Sequence, residues 1–210
     1  MLLTLKRPAR GGQPKYNIAM PSAASQLRYR LATPADIPRL GPLIEASVRG
    51  LQAQDYSPSQ MDQALGTWLG LDTQLIADGT YFAVDAPDDP AGPETCGGLA
   101  ACGGWSRRKT PYGSDHRPGR DDAFLDPKTD AAKIRAFFVH PAWARRGIGT
   151  RILELCEQAA QAEGFTRFEM GATLTGIPLY RRHGYLEQER IELPLADGEV
   201  LPIVRMTRQI

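Results

Sequence analysis

Residues 139–149 read VHPAWARRGIG, and what flanks this stretch limits what the chain can fold into. Before it, Ile134, Ala136, Phe137, Phe138 and Val139 form an apolar, β-prone run. After it, Ile152, Leu153, Leu155, Cys156 and Ala159 are apolar at helical spacing. A strand must therefore pass through a proline-containing bend and a Gly-x-Gly pair directly into a helix. The start of such a helix presents backbone N–H groups that lack intrahelical partners. Together with the helix dipole they favour a bound anion, phosphate above all. Glycine lets a ligand approach the backbone closely, because no Cβ stands in the way. The stretch is a candidate phosphate cradle. A Walker-type loop is excluded, since no Gly-Lys-Ser/Thr ending follows, and Ile152 stands where a dinucleotide fingerprint needs a third small residue. A Gly-x-Gly alone fits equally well a tight strand-to-helix connection that binds nothing.

A chain of 210 residues with 42% hydrophobic content suits one α/β domain with a full core. Lys and Arg number 25 against 24 Asp and Glu, so no global field argues for nucleic acid or for an anionic membrane. The basic residues cluster only locally, at Arg107-Arg108-Lys109 and Arg145-Arg146, and the usual explanation of such short clusters is a solvated surface. Cys96, Cys102 and Cys156 form no metal-ligand spacing, and no metal is expected. An odd cysteine count fits a reducing cytoplasm, with Cys156 a small core residue on its helix. No run is long enough to span a membrane. Residues 1–25 read as a flexible extension; their first apolar segment is short and is followed, not preceded, by basic residues.

The remainder, residues 26–210, alternates strand and helix signals as a single domain. Leu27 to Leu31 alternates as a half-buried strand. Thr33 and Pro34 open a helix whose buried stripe is Ile37, Leu40, Leu43, Ile44 and Val48. A second helical region runs from Ser57 to Ala77, interrupted by Gly66 and Gly70. Strands at Thr80 to Val84 and Leu99 to Trp105 pair around a loop at 86–98. Residues 106–130 are polar and read as a long excursion, of the kind that is functional or disordered. The cradle helix covers 147–163, a strand Phe165 to Ala172, and a short helix Ile177 to His183. Ile191 to Leu195 and Val200 to Met206 bracket Asp197-Gly198, a two-residue hairpin signal. This order implies a mixed sheet covered by helices, with a ligand site beyond the strand ends where the topology switches.

Phe137-Phe138-Val139-His140-Pro141 followed by Arg146-Gly147-Ile148-Gly149-Thr150 and an apolar helix resembles the acyl-CoA-binding motif of the GNAT superfamily of N-acetyltransferases. A second, independent segment, Ala172-Thr173-Leu174 with Pro178-Leu179-Tyr180-Arg181-Arg182-His183-Gly184-Tyr185, resembles the same family's later strand end and tyrosine-bearing helix. The resemblance implies a mixed, mostly antiparallel central sheet flanked by helices, with a splayed strand pair at the acyl-CoA site. The family motif usually carries Gln or Arg three residues before its first glycine; here Ala144 stands there, so the grip at that position is expected to be through main chain.

The resemblance further implies an acetyl-CoA-dependent N-acetyltransferase acting on the primary amine of a small-molecule, or a protein, acceptor. The pyrophosphate of acetyl-CoA would rest on Ala144, Arg145, Arg146, Gly147, Ile148, Gly149 and Thr150. The pantetheine arm would add to the strand edge at Phe138 and Val139, and a backbone N–H near those two would hold the oxyanion. Tyr180 matches the family's acid: a phenol stays protonated at neutral pH and quenches the departing thiolate. The general base is not singled out among Asp115, His116, Asp121, Asp122 and Glu169. The 106–130 excursion and the helices of 36–77 are expected to wall the acceptor cleft, with Trp105 and Tyr112 either stacking on substrate or packing. His140 and His183 read as structural. A longer acyl-CoA, a non-catalytic acyl-CoA-binding sensor, and a homodimer all stay compatible with the sequence.

Overall fold

The computed structural model describes residues 27–86 and 96–210. The expected extension at 1–25, and most of the loop at 86–98, lie outside the described residues. The elements run β1 (Arg28–Leu31), α1 (Ile37–Leu51), α2 (Pro58–Ala64), α3 (Thr73–Ala77), β2 (Tyr81–Asp85), β3 (Leu99–Ser106), β4 (Ala132–Val139), α4 (Ile148–Ala162), β5 (Arg167–Thr173), α5 (Ile177–Arg182), β6 (Leu186–Pro194) and β7 (Val200–Gln209). One seven-stranded sheet has the order β1-β2-β3-β4-β5-β7-β6. Every neighbouring pair is antiparallel except β4 and β5. Among the described residues no helix is long and apolar enough to cross a membrane.

Two apolar layers cover the sheet. On one face α4 contributes Ile148, Ile152, Leu153, Cys156 and Ala160, packed with Trp105, Phe165, Phe168 and Met170. On the other, Leu40, Leu43, Ile44 and Val48 of α1 pack with Met61, Leu75, Tyr81 and Ile203. The central strand β3 is buried along its whole length. Gly103 makes this possible, because a Cβ there would meet Ile152 Cγ2 at 2.8 Å. The α1 stripe differs from the expected one at its first position: Ile37 is 36% exposed, and Ser47 takes a buried place instead.

Two local readings are revised, and the helical region of 57–77, expected to break at Gly66 and Gly70, is two short helices. Gly66 takes φ +84 just after α2, and the Asp72 carboxylate accepts the Gln74 N–H at 3.2 Å to start α3 afresh. The last hairpin is not a two-residue turn: Leu195 N–H donates to Glu199 O at 2.9 Å, and three residues lie between, with both Asp197 and Gly198 at positive φ. β6 begins at Leu186, five residues before the apolar signal at Ile191; residues 186–190 are all exposed and show no alternation by which a strand could be read. The 106–130 excursion is built rather than loose. Lys109 N–H donates to Ala123 O, Thr110 N–H to Asp121 O and Leu125 N–H to Arg107 O. Its tip is tied to the α2–α3 connection by Ser114 N–H to Thr67 O and Asp115 N–H to Leu71 O, at 2.9 and 3.0 Å.

Candidate active site

β4 leaves the sheet through a short bend. His140 Nδ1 accepts the Ala142 N–H at 3.2 Å and so caps the 3-10 turn Pro141–Trp143. Ala144 N–H is used inward, on Pro141 O at 3.2 Å. The chain then takes positive φ twice, at Arg145 (+62) and Gly147 (+78), before α4 begins. From Arg145 through Thr150, no backbone N–H among the described residues donates to a backbone carbonyl; Arg151 is the first, to Gly147 O at 3.1 Å. Six consecutive donors at the dipole-positive end of a helix fit a pyrophosphate. Arg145, Arg146 and Gly147 are exposed around them, with the Arg146 guanidinium 4.4 Å above the Trp143 ring. The Ile148 side chain is in the core. Thr150 Oγ1 lies 3.2 Å from His183 Nε2, at the end of α5.

The parallel pair beside this bend comes apart. β4 and β5 are in register only at Ala132–Phe168 and Lys133–Glu169, although β4 runs on to Val139 and β5 to Thr173. On its other side β4 bulges. Its register with β3 passes from Arg135–Gly104 to Phe138–Cys102, so Ala136 and Phe137 have no partner there, and Ala136 sits at φ +55. The Ala136 carbonyl accepts from the buried Tyr81 hydroxyl at 3.1 Å. The expected oxyanion donors are occupied. Val139 N–H donates to Ser47 Oγ at 3.1 Å, which pins α1 to the end of β4. Phe138 N–H is hydrogen-bonded to Cys102, whose thiol is pushed up to about 12 chiefly by burial. By strand alternation with His140 N–H, which donates to Ala100 O, Phe137 N–H is the one that faces the parted edge.

Between the parted strands lies a cavity of about 70 Å³ whose lining includes Gln52, Trp68, Tyr112, Arg135, Phe138 and Tyr180. Tyr180 is 8% exposed and meets Phe137 and Tyr185 edge-on, with centroids 6.2 and 6.0 Å away. Burial raises its phenol well above the ordinary tyrosine range. Arg135 is held by Thr110 O at 3.0 Å, Gly113 O at 2.7 Å and Asp72 at 2.6 Å. Its guanidinium is nonetheless lowered to about 10, because burial outweighs the Asp72 charge. The Gln52 side-chain oxygen is buried and has no hydrogen-bond partner.

The acid–base candidates read from sequence do not converge here. Asp115 accepts Thr73 N–H at the start of α3, Asp121 accepts Ala123 N–H within the excursion, and Glu169 pairs with Lys133 and Arg205. Asp122 is an exposed partner of Arg120, and His116 is exposed. Tyr112 lines the cavity, whereas Trp105 is core, edge-on to Phe165 at 5.9 Å. Sequence reasoning passed over Gln52, Trp68 and Arg135. Only Arg135, a lone cation in an apolar run, carried a local signal.

The family model described as the acetyltransferase (GNAT) domain matches residues 112–187. Solved structures share the fold at low identity. A GCN5-related N-acetyltransferase from Rhodopseudomonas palustris is 19% identical, with a TM-score of 0.61 over 90% of this chain and 99% of that one. The PaiA N-acetyltransferase from Thermoplasma acidophilum, in complex with coenzyme A, is 11% identical, with a TM-score of 0.56 over 88% and 99%. Salmonella typhimurium yncA, with its cofactor acetyl-CoA, is 14% identical, with a TM-score of 0.52 over 87% and 93%. No curated protein matches the sequence.

Proposed function

We propose that this chain, whose residues 112–187 match the acetyltransferase (GNAT) domain model, is a GNAT acetyltransferase that moves an acetyl group from acetyl-CoA directly to the primary amine of a small-molecule acceptor in the cytoplasm. The observation that carries the reading is the parting of β4 from β5 beside six unpaired N–H groups, with Tyr180 on the cavity between the strands. Acetyl-CoA supplies the activated thioester. Arg145 to Thr150 bind its pyrophosphate through main-chain donors, and Arg145 and Arg146 add positive charge. Ala144, whose N–H is used inward, shapes the rim without gripping. Phe138 and Val139 line the edge along which the pantetheine arm runs, and Phe137 N–H is placed to stabilise the oxyanion.

The acceptor nitrogen adds to the thioester carbonyl to form the C–N bond, the resulting oxyanion collapses with cleavage of the C–S bond, and the Tyr180 phenol gives its proton to the departing thiolate and is reprotonated from water. Among the described residues, no carboxylate or imidazole lines the cavity. The acceptor's own proton therefore leaves through water at the open mouth. Thiol release from acetyl-CoA across a panel of amines tests the reading, and silence across the panel overturns it. Tyr180→Phe should lower kcat about 10²-fold or more while a thermal shift by CoA persists; unchanged turnover removes Tyr180 as the acid. The raised phenol also fixes a sign with pH. Ionisation of Tyr180 removes the acid only above its ordinary value of 10.0, so kcat should show no alkaline fall below that pH.

A further inference from the structure

We propose that the acceptor is an amino carboxylate, held at the cavity mouth by Arg117 with its amine directed inward to Gln52. The inference rests on the cavity being the acceptor site. Arg117 lies across Gly113 so closely that a Cβ there would meet its Cδ at 2.6 Å. Its guanidinium stands 4.7 Å from the Tyr112 ring centroid and 5.9 Å from that of Trp68. Both rings, and Gly113, line the cavity. Of the five donors of a guanidinium, one is used, Nη1 to Tyr112 O at 3.1 Å. Nε is buried and has no partner.

The neighbouring cations are matched. Arg135 lies 2.6 Å from Asp72, and Arg120 lies 3.2 Å from Asp72 and 3.5 Å from Asp122. Among the described residues no carboxylate comes within ion-pair distance of Arg117, which leaves one uncompensated cation at the mouth. Burial holds its guanidinium below the ordinary arginine value, and Arg120 adds to this. An incoming carboxylate offsets both effects by favouring the charged form, and it takes the vacant fork of donors. Packing on two aromatic rings explains the position of the guanidinium. Arg39, Arg107 and Arg135 also keep an unpartnered Nε, but each of those has a carboxylate partner and Arg117 has none among the described residues, which is what leaves its fork open to a ligand.

The inner end has the opposite polarity. Gln52 is 6% exposed, lines the same cavity, and keeps a side-chain oxygen without a partner. That oxygen accepts an N–H of the acceptor amine. Cation at the mouth and acceptor within select a molecule that carries a carboxylate at one end and an amine at the other.

The test uses matched pairs, an amino acid and the amine that remains when its carboxylate is removed, assayed by thiol release on the wild type and on Arg117→Gln. The amino acid should show a kcat/KM about 10- to 100-fold higher, and the substitution should erase that ratio by raising KM for the amino acid alone. An equal or better decarboxylated substrate, or a loss shared equally by both, overturns the inference while leaving acetyl transfer intact. A second arm needs no turnover: the N-acetylated amino acid should bind, read by Trp fluorescence, more tightly than its carboxamide, and only in the wild type. If thiol is released from neither member of any pair, the transfer reading fails, and this binding arm alone decides the carboxylate site.

Discussion

Asp72 is fully buried and serves three partners at once. Its carboxylate caps α3 through Gln74 N–H at 3.2 Å, lies 2.6 Å from Arg135 and accepts from Arg120 at 3.2 Å. The Arg135 guanidinium, itself only 5% exposed, forms part of the cavity wall. Removing one member of such a pair strands the other charge in a low dielectric, which costs far more than the pair contributes. Asp72→Ala should therefore lower the free energy of unfolding by about 3–5 kcal/mol, measured by urea denaturation with CoA absent. A loss under about 1 kcal/mol would show that Arg135 and Arg120 are satisfied by the carbonyls around them. None of this was legible in the sequence. Tyr180 announced itself because its neighbours form a local pattern, Pro178 to Tyr185. Arg135, though marked as a cation within an apolar run, takes its partner Asp72 from far along the chain, Gln52 lines a cavity with equally distant residues, and Arg117 owes its place to Trp68 as well as to the nearby Tyr112 and Gly113.

At the scale of the element, the strand-bend-helix unit was legible almost to the residue, since its helix was expected at 147–163 and runs from Ile148 to Ala162. Apolar spacing and glycine placement are local signals, so α4 and its cradle could be read directly. The bulge that opens β4 was not, because it depends on Ala136 at φ +55, a conformation that an alanine gives no hint of adopting. It is held by Tyr81 on β2, whose hydroxyl lies 3.1 Å from the Ala136 carbonyl. The cradle carries its own prediction. Gly149 offers an unpaired N–H at the first turn of α4, and a Cβ there would meet Leu179 Cδ2 at 3.2 Å. Gly149→Glu places a negative charge and bulk where the pyrophosphate would rest. The thermal shift given by millimolar CoA should disappear, with far-UV circular dichroism unchanged. A retained shift would move the pyrophosphate off this helix.

Across the whole molecule, the sheet must stay open between β4 and β5 while each half remains fixed. β4 is held from α1 by Ser47 and from β2 by Tyr81. The β5 half depends on Tyr56, in the connection between α1 and α2. Its hydroxyl donates to Pro202 O in β7 at 2.7 Å and accepts Leu174 N–H at 2.9 Å, where β5 ends. Burial pushes this phenol up to about 12, so the bridge persists through neutral and mildly alkaline pH. From Leu174 the chain passes through one 3-10 turn into α5, which carries Tyr180. One hydroxyl thus couples the α1–α2 connection, the second half of the sheet and the helix that carries Tyr180. Tyr56→Phe keeps the ring and leaves a part-buried N–H and a buried carbonyl without this partner, at a cost of about 1–3 kcal/mol. If the bridge sets the width of the opening, kcat should fall several-fold, while the CoA-induced thermal shift, which depends on α4, is preserved. A lower melting temperature with unchanged kcat would make Tyr56 a stabilising contact alone and place control of the opening on the β4 side, with Ser47 and Tyr81.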